Sequence, residues 1–336
     1  MIQRRPTVLL LVLAMASGAL ACRSRSREVV VYLSIDQVFT EPILRDFERQ
    51  SGVKVRAVFD TEETKSTGVL NRIIAEARSP QADVFWSGDP VRPQLLVKRG
   101  LVRAYLSPEA AAIPPAFKAA DGTWTGGAAR ARLLLVNKTR VKPEEMPRSV
   151  RDLADRRWKG QTAIANPLFG TTTMHVAALA DAWGDDALKS FLTQLKANGC
   201  RIASSNGEVK RLVASGEVAF GLADTDDAAE ALHDGAPIEV VYPDQDGMGT
   251  LLMPTAVVSL AGPHTEEARR LVDYLLSVPA EQKLVDVAAH IPLRADVKPA
   301  AGGKRASEIK TMQIDYAKVA GTMERLQPWL RDWAGL

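Results

Sequence analysis

Three times between residues 28 and 100 a short apolar run gives way to a polar cluster and then to an amphipathic stretch. Residues 29–33 are continuously apolar, as a strand buried on both faces of a parallel sheet must be. They end in Ser34, Asp36 and Gln37, and a helix follows with Ile43, Leu44 and Phe47 on one side, stopping at Ser51 and Gly52. Residues 53–59 repeat the strand and end in Asp60, Glu62 and Glu63, and residues 67–78 repeat the helix. A third strand, 82–86, finishes on Trp86 and runs into Ser87, Gly88 and Asp89, ahead of a helix over 90–98. This β-α-β-α-β order predicts a parallel sheet with right-handed crossovers. Ligands of such sheets bind beyond the carboxyl ends of the strands, which is where the polar clusters fall.

Residues 121–127, rich in glycine and threonine, mark a boundary, and the strand 130–136 with Arg130 and Arg132 enters a second lobe. There a strand over 161–166 leads through Pro167 and Gly170 to a helix over 171–180. Gly170 lets the backbone approach a ligand closely, and the first helical N–H groups have no partner within the helix. Those donors, the hydroxyls of Thr171 and Thr172 and the positive helix end together favour an anion. A threonine that caps its own helix produces the same pattern. A helix over 185–197, a strand over 201–205 and a helix over 208–214, opened by Asn206 and Gly207, come next. The strand 217–223 ends in Asp224, Asp226 and Asp227, and another strand occupies 238–242. The run 251–260 is long enough to cross back into the first lobe, where helices over 265–277 and 280–288 are expected. In the tail Met312, Tyr316, Val319, Met323 and Leu326 recur at spacings of four and three, one face of a helix that Pro328 should end. Trp329 and Trp333 are then expected to pin the terminus to the first lobe.

The fold class so defined is α/β: a two-lobed clamp with parallel-rich sheets, helices on both faces and two crossover hinge strands. Lobe 1 would comprise 29–127 plus 255–336, and lobe 2 residues 128–254. The 336 residues, 46% hydrophobic and 25% charged, suffice for two such lobes. Ahead of them Arg4 and Arg5 precede an apolar run over 8–16 and small residues ending in Ala19, Leu20, Ala21 and Cys22, which reads as a signal peptide over 1–21. Residues 19–22 resemble the lipobox of bacterial lipoproteins, with alanine where leucine is usual, and they also fit an ordinary small-x-small cleavage site. Cys22 is the lipidation candidate, and residues 22–28 a basic tether. The only other cysteine, Cys200, then stands alone as a small buried residue. Removing Arg4 and Arg5 lowers the formal charge from +3 to +1, so no field strong enough to argue for nucleic acid remains.

The sequence resembles the extracellular solute-binding proteins of ABC importers, in the branch of ferric-iron-binding periplasmic proteins. The resemblance rests on residues 30–34, 82–86 and 130–137, on Trp158, Lys159 and Gly160, on Asn166 and Pro167, and on Ile291, Pro292 and Leu293. It implies a monomer that closes on a small molecule or ion and hands it to an ABC permease in the inner membrane. Membrane contact would come only through a lipid anchor at Cys22, with location in the periplasm or on the outer face of the membrane. It further implies Fe(III) held by two adjacent tyrosines after residue 222, often with a companion anion on an arginine. Here Asp224, Thr225, Asp226 and Asp227 occupy that segment, and Tyr32, Tyr105, Tyr242, Tyr274 and Tyr316 are all isolated.

Two readings of the cleft follow. In one, Asp60, Glu62, Asp224, Asp226 and Asp227 give oxygen ligands to a hard cation such as Fe(III), carried as cargo and not as a resident cofactor. Arg132 or the helix start at Thr171 would hold its companion anion. In the other, Gly170, Thr171, Thr172 and Ser34 hold a phosphonate or phosphate ester, and Asp224 and Asp226 pair with an amine, as 2-aminoethylphosphonate would require. Asp36, Gln37, Trp86, Asp89 and Asn206 complete the candidate lining. Against each stands a structural role: a helix cap for the aspartates, a packed core position for Trp86, a hinge ion pair for Arg132. No Gly-x-Ser-x-Gly elbow, His-Glu-x-x-His helix or phosphate loop occurs, which leaves an exported carboxylate-dependent hydrolase as the enzymatic alternative.

Overall fold

The computed structural model describes residues 27–60 and 67–335. The chain opens with β1 (Glu28–Leu33), β2 (Lys54–Phe59) and β3 (Val84–Ser87), alternating with α1 (Gln37–Ser51), α2 (Gly68–Ala75) and α3 (Val91–Lys98). β1 is flanked in parallel by β2 and β3, in the register Val29↔Val55 and Val31↔Val84. α1 buries Ile43, Leu44 and Phe47 and ends at Gly52, whose φ of 67° closes the helix in the left-handed conformation that glycine adopts without strain.

β4 (Thr125–Asn137), 13 residues long, leads into the second half. β5 (Thr162–Ala165), β6 (Arg201–Ala203), β7 (Phe220–Asp224) and β8 (Ile238–Val241) follow, with α4 (Gly170–Trp183), α5 (Asp185–Ala197), α6 (Asn206–Ala214) and α7 (Thr225–His233) among them. β9 (Leu252–Ser259) returns to the first half, and α8 (Thr265–Leu275), α9 (Val278–Ala288) and α10 (Tyr316–Ala334) complete the chain.

Sequence periodicity suggests separate sheets, yet the strands form one path, β2-β1-β3-β9-β4-β7-β5-β6, with β8 also on β4. The join is β4 against β9, which run antiparallel, so the two crossover strands pair with each other. β4 bonds β9 along its first half and β7 and β8 along its second, and β9 turns its other edge to β3. The β4–β9 register slips between Gly126 and Ala129. Glycine is required there: a Cβ on Gly126 would lie 2.6 Å from the Phe117 carbonyl, and one on Gly127 2.8 Å from Thr255 Oγ1.

Each half buries apolar residues on both faces of its strands. One cluster joins Tyr32, Phe85 and Met253, and another joins Val31, Leu33, Trp86 and Leu271. In the second half Leu134, Val136 and Phe220 face α4 and α5, while Ala131, Leu133 and Leu135 face the α6 side.

The tail departs from the sequence-based expectation. α10 does not stop at Pro328 but runs on to Ala334, because Leu330 and Trp333 continue its buried face. That face packs on the second half, with Leu326, Leu330 and Trp333 against Phe191, Leu192 and Leu195, and with Trp333 Nε1 donating to the Leu192 carbonyl at 3.2 Å. The start of the same helix, at Tyr316 and Val319, packs with Met174, Ala177 and Ala178 of α4 and with Leu96 of α3. The tail is therefore a strap over both halves and not a first-lobe appendage. Among the described residues no helix is long and apolar enough to cross a membrane.

Candidate functional site

Side chains two apart on a strand share a face. Arg130 and Arg132 on β4 therefore point the same way, and the antiparallel register sets Arg132 directly opposite Asp224 of β7. Arg132 is fully buried, and its Nη1 donates to Asp224 Oδ1 at 2.6 Å, to Thr171 Oγ1 at 2.9 Å and to Asn206 Oδ1 at 3.2 Å. Its Nη2 donates to Thr172 Oγ1 at 3.2 Å. Thr171 Oγ1 donates to Asp224 Oδ2 at 2.8 Å, and Asn206 Nδ2 reaches the same oxygen at 3.1 Å. One guanidinium thus gathers the first turns of α4 and α6 and the carboxylate that precedes α7.

Arg130 links the two halves. Its Nη2 donates to the Gly88 carbonyl, in the turn after β3, at 2.8 Å. Its Nη1 lies 3.4 Å from Asp224 Oδ2 and 3.9 Å from Asp226 Oδ2. Burial opposes the charge on Arg130, but Asp224, Asp226, Asp36 and Asp89 together hold its pKa above the usual arginine value. Gly88 sits close against both partners: a Cβ there would stand 3.1 Å from the Ser34 carbonyl and 3.2 Å from Arg130 Nη2, so one of them would have to give way slightly. Ser34 Oγ accepts from the Gly88 N–H at 3.0 Å.

The aspartates after β7 respond differently to the same surroundings. Burial alone would raise the pKa of Asp224, but Arg132 and Arg130 and the hydrogen bonds from Arg132 and Thr171 keep it below the ordinary carboxylate range. Asp226 is pushed up to about 6 by burial, with Asp224 and Asp36 adding to the effect against Arg130. Asp227 is raised well above its usual value by burial and by Asp226 and Asp224. It also accepts the Asp224 N–H at 3.1 Å, helping to cap α7. The three residues can each bring one carboxylate oxygen within 4.8 Å of the others, and Asp226 Oδ1 is buried without a hydrogen-bond partner.

The other sequence-predicted residues fall into three groups. Thr171 and Thr172 are buried, and their hydroxyls turn inward to Arg132. Gly170, at φ 59° and with open space where a Cβ would be, exposes the backbone at the head of α4, and no side chain caps that helix. On the facing rim Asp36 precedes α1 and acts on Arg130 through its charge, while Gln37 is exposed and bonds Glu41 at 2.8 Å. Asp89 caps α3 through the Val91 and Arg92 N–H groups and pairs with the buried Arg92 guanidinium.

Trp86 and Asp60 have local roles. Trp86 is 1% exposed and packed with Val31, Leu33 and Leu271, so it supports the rim from inside the core and presents no platform. Asp60, at the end of β2, accepts the Val69 N–H at 3.3 Å near the start of α2. Glu62 and Cys22 lie outside the described residues.

Arg130 is the site residue that sequence reasoning passed over. Its signal was present, because it shares the strand and the period of Arg132. His175 and His290 are also close to the network. His290 precedes Ile291, which bridges Ala129, and this antiparallel bridge places it beside Arg130. Both imidazoles are 2% exposed, and burial first, then the neighbouring arginine, takes each pKa down to about 3 against the pull of Asp224.

Two half-sheets linked by a pair of long strands, with charged strand ends converging on one arginine between them, define a clamp for a small charged solute. The chain belongs to the bacterial extracellular solute-binding proteins, the family whose profile matches residues 79–319, and is of the ABC-importer type. Proteins of this type bind small ligands outside the cytoplasm and work with an inner-membrane permease. It is 28% identical over 284 residues to iron uptake protein A1 of Synechocystis sp., covering 81% of this chain and 77% of that one. It is 24% identical over 293 residues to a putative 2-aminoethylphosphonate-binding periplasmic protein of Salmonella typhi, covering 85% and 80%. The crystal structure of iron-bound HitA from Pseudomonas aeruginosa superposes with a TM-score of 0.81 at 23% identity, over 90% of this chain and 99% of that one.

Proposed function

We propose that this protein captures ferric iron together with a companion anion and delivers it to an importer. The observation that carries this reading is the set of oxygens of Asp224, Asp226 and Asp227 within 4.8 Å of one another, beside the guanidinium of Arg130. Oxygen ligands suit a hard cation, and an adjacent arginine suits the anion that accompanies it. Asp224 is engaged by two arginines, and Asp227 is engaged at the α7 cap. Asp226 is then the protein's freest ligand, so most of the coordination must come from the anion. Iron would enter as a chelate, not as a bare ion. The iron uptake relative supports this reading.

A second reading is favoured by a specific observation: none of the five tyrosines joins the Arg130–Asp224 network. Tyr32 donates to Glu76, Tyr105 donates to Asp273, and Tyr316 packs edge-on to Trp124. Tyr274 packs on Phe47, and Tyr242 lies under Lys304. Without phenolates, the open backbone at Gly170 and the charge of Arg130 suit a phosphonate, with Asp226 left for an amine. That is the chemistry of 2-aminoethylphosphonate.

Titration calorimetry of the ligand-free protein with Fe(III)-citrate and with 2-aminoethylphosphonate separates the two. Binding of Fe(III)-citrate alone supports the first reading, and binding of the phosphonate alone replaces it with the second. We also propose that Cys22 is lipidated and that the clamp works as a monomer. A diacylglycerol mass increment on Cys22 in protein from membranes, and a single-chain mass in solution, are the expected results.

A further inference from the structure

α4 presents Thr171, Thr172 and His175 along one face, because residues three and four apart on a helix are neighbours. The two threonine hydroxyls on that face lie 2.9 and 3.2 Å from the Arg132 guanidinium. Arg132 Nε and His175 Nδ1 are both buried without a hydrogen-bond partner, as are Asp226 Oδ1 and His290 Nδ1 nearby. Leaving a buried polar atom unpaired costs about 1–3 kcal/mol, so two unpaired atoms of complementary type call for a common explanation. Arg132 Nε–H can only donate. The Nδ1 of a neutral imidazole accepts when its proton is on Nε2. The surroundings keep His175 neutral, since burial and the charge of Arg132 both oppose a second proton.

We propose that His175 is a positioning residue whose Nδ1 lone pair takes the Arg132 Nε–H through one bridging water, fixing the plane of the guanidinium. Two waist-level contacts of that plane are with Thr171 and Thr172 of α4, and the others are with Asn206 of α6 and Asp224 of β7. A neutral acceptor behind Arg132 would therefore hold the whole second rim in register. A leucine there would leave Nε–H unpaired, and a lysine would place a second cation against the first. The role does not depend on which solute the clamp binds.

The test is nitrogen-15 NMR of the full chain. In the wild type, His175 should show the Nε2–H tautomer, with a bare Nδ1, and the Arg132 Nε–H should exchange slowly with solvent. His175→Asn, whose side-chain oxygen falls near the Nδ1 position, should preserve that protection. His175→Phe, with similar shape and no acceptor, should speed the exchange about tenfold, the scale of one net hydrogen bond. An Nδ1–H tautomer in the wild type would overturn the proposal, and so would equal protection in the Phe and wild-type proteins. If the Phe variant does not fold, the wild-type tautomer alone decides.

Discussion

Arg132 and Asp224 face each other across β4 and β7, 2.6 Å apart, with side chains 0% and 2% exposed. A buried ion pair is a weak source of net stability, but breaking one by removing a single partner strands a charge and costs about 3–5 kcal/mol. Asp224→Leu should show that cost in urea unfolding, because it leaves the fully buried Arg132 without a carboxylate. Arg132→Met should cost less, because Arg130 still neutralises Asp224. The double variant should recover much of the loss. Additive losses would mean that the two charges act independently.

Thr171 and Thr172 carry a related expectation. Their hydroxyls are committed to Arg132, and Thr171 also donates to Asp224. Thr171→Val should destabilise the chain by about 2 kcal/mol, since it removes hydrogen bonds to two buried charges, and Thr172→Val by about 1 kcal/mol. Solute affinity should then weaken through a looser rim. Unchanged unfolding midpoints would show that the hydroxyls bear no load in the fold.

The elements were legible in the sequence where apolar period and length agreed, as in β1 with α1 and in β9. The ends of β1, β2, β3 and β7 were legible too, because Ser34, Asp60, Asp89 and Asp224 interrupt apolar runs. What could not be read was how those ends combine. Asp224 and Arg132 are 92 residues apart, and only the antiparallel β4–β7 register brings them together. The expectation that Thr171 faces a ligand failed to register that its strand-borne neighbour would be a buried guanidinium. Pro328 misled for a different reason. One lost backbone bond is a local cost, and the burial of Leu330 and Trp333 outweighs it.

Asp226 should make stability depend on pH in a direction unusual for an aspartate. Its folded pKa, about 6, lies above that of an unfolded aspartate, so between roughly pH 4 and 6 the folded chain keeps a proton that the unfolded chain releases. Its contribution to stability therefore falls as pH rises through that window and is least favourable at neutral pH. Asp226→Asn should stabilise the ligand-free protein at pH 7 by up to about 3 kcal/mol, with the gain vanishing near pH 4. His175 and His290 act in the opposite sense, because they stay neutral when folded and the unfolded chain gains protons below about pH 6.5. Their effect is common to both proteins and cancels in the comparison. Thermal melts of the pair across pH 4–7.5 provide the measurement, and a pH-independent difference would place Asp226 in solvent.

Trp333 and Trp329 lie one turn apart on α10, yet their substitution should have unequal effects. Trp333 is 9% exposed, packs with Phe191, Leu192 and Leu195, and donates its indole N–H to the Leu192 carbonyl. Lys196 of α5 stands 5.5 Å from its ring and donates to its carbonyl at 2.7 Å. Trp329 is half-buried at the edge of the same cluster, with Lys189 5.7 Å from its ring. Trp333→Ala should cost about 3–5 kcal/mol, the range for emptying a buried aromatic site, and Trp329→Ala about 1 kcal/mol. The location of the damage is the sharper test. Because Trp333 closes the core over α5, amide exchange in the Trp333→Ala protein should accelerate in α5 and leave α1 unchanged. Acceleration in α1 with α5 still protected would put the weight of the tail on the first half.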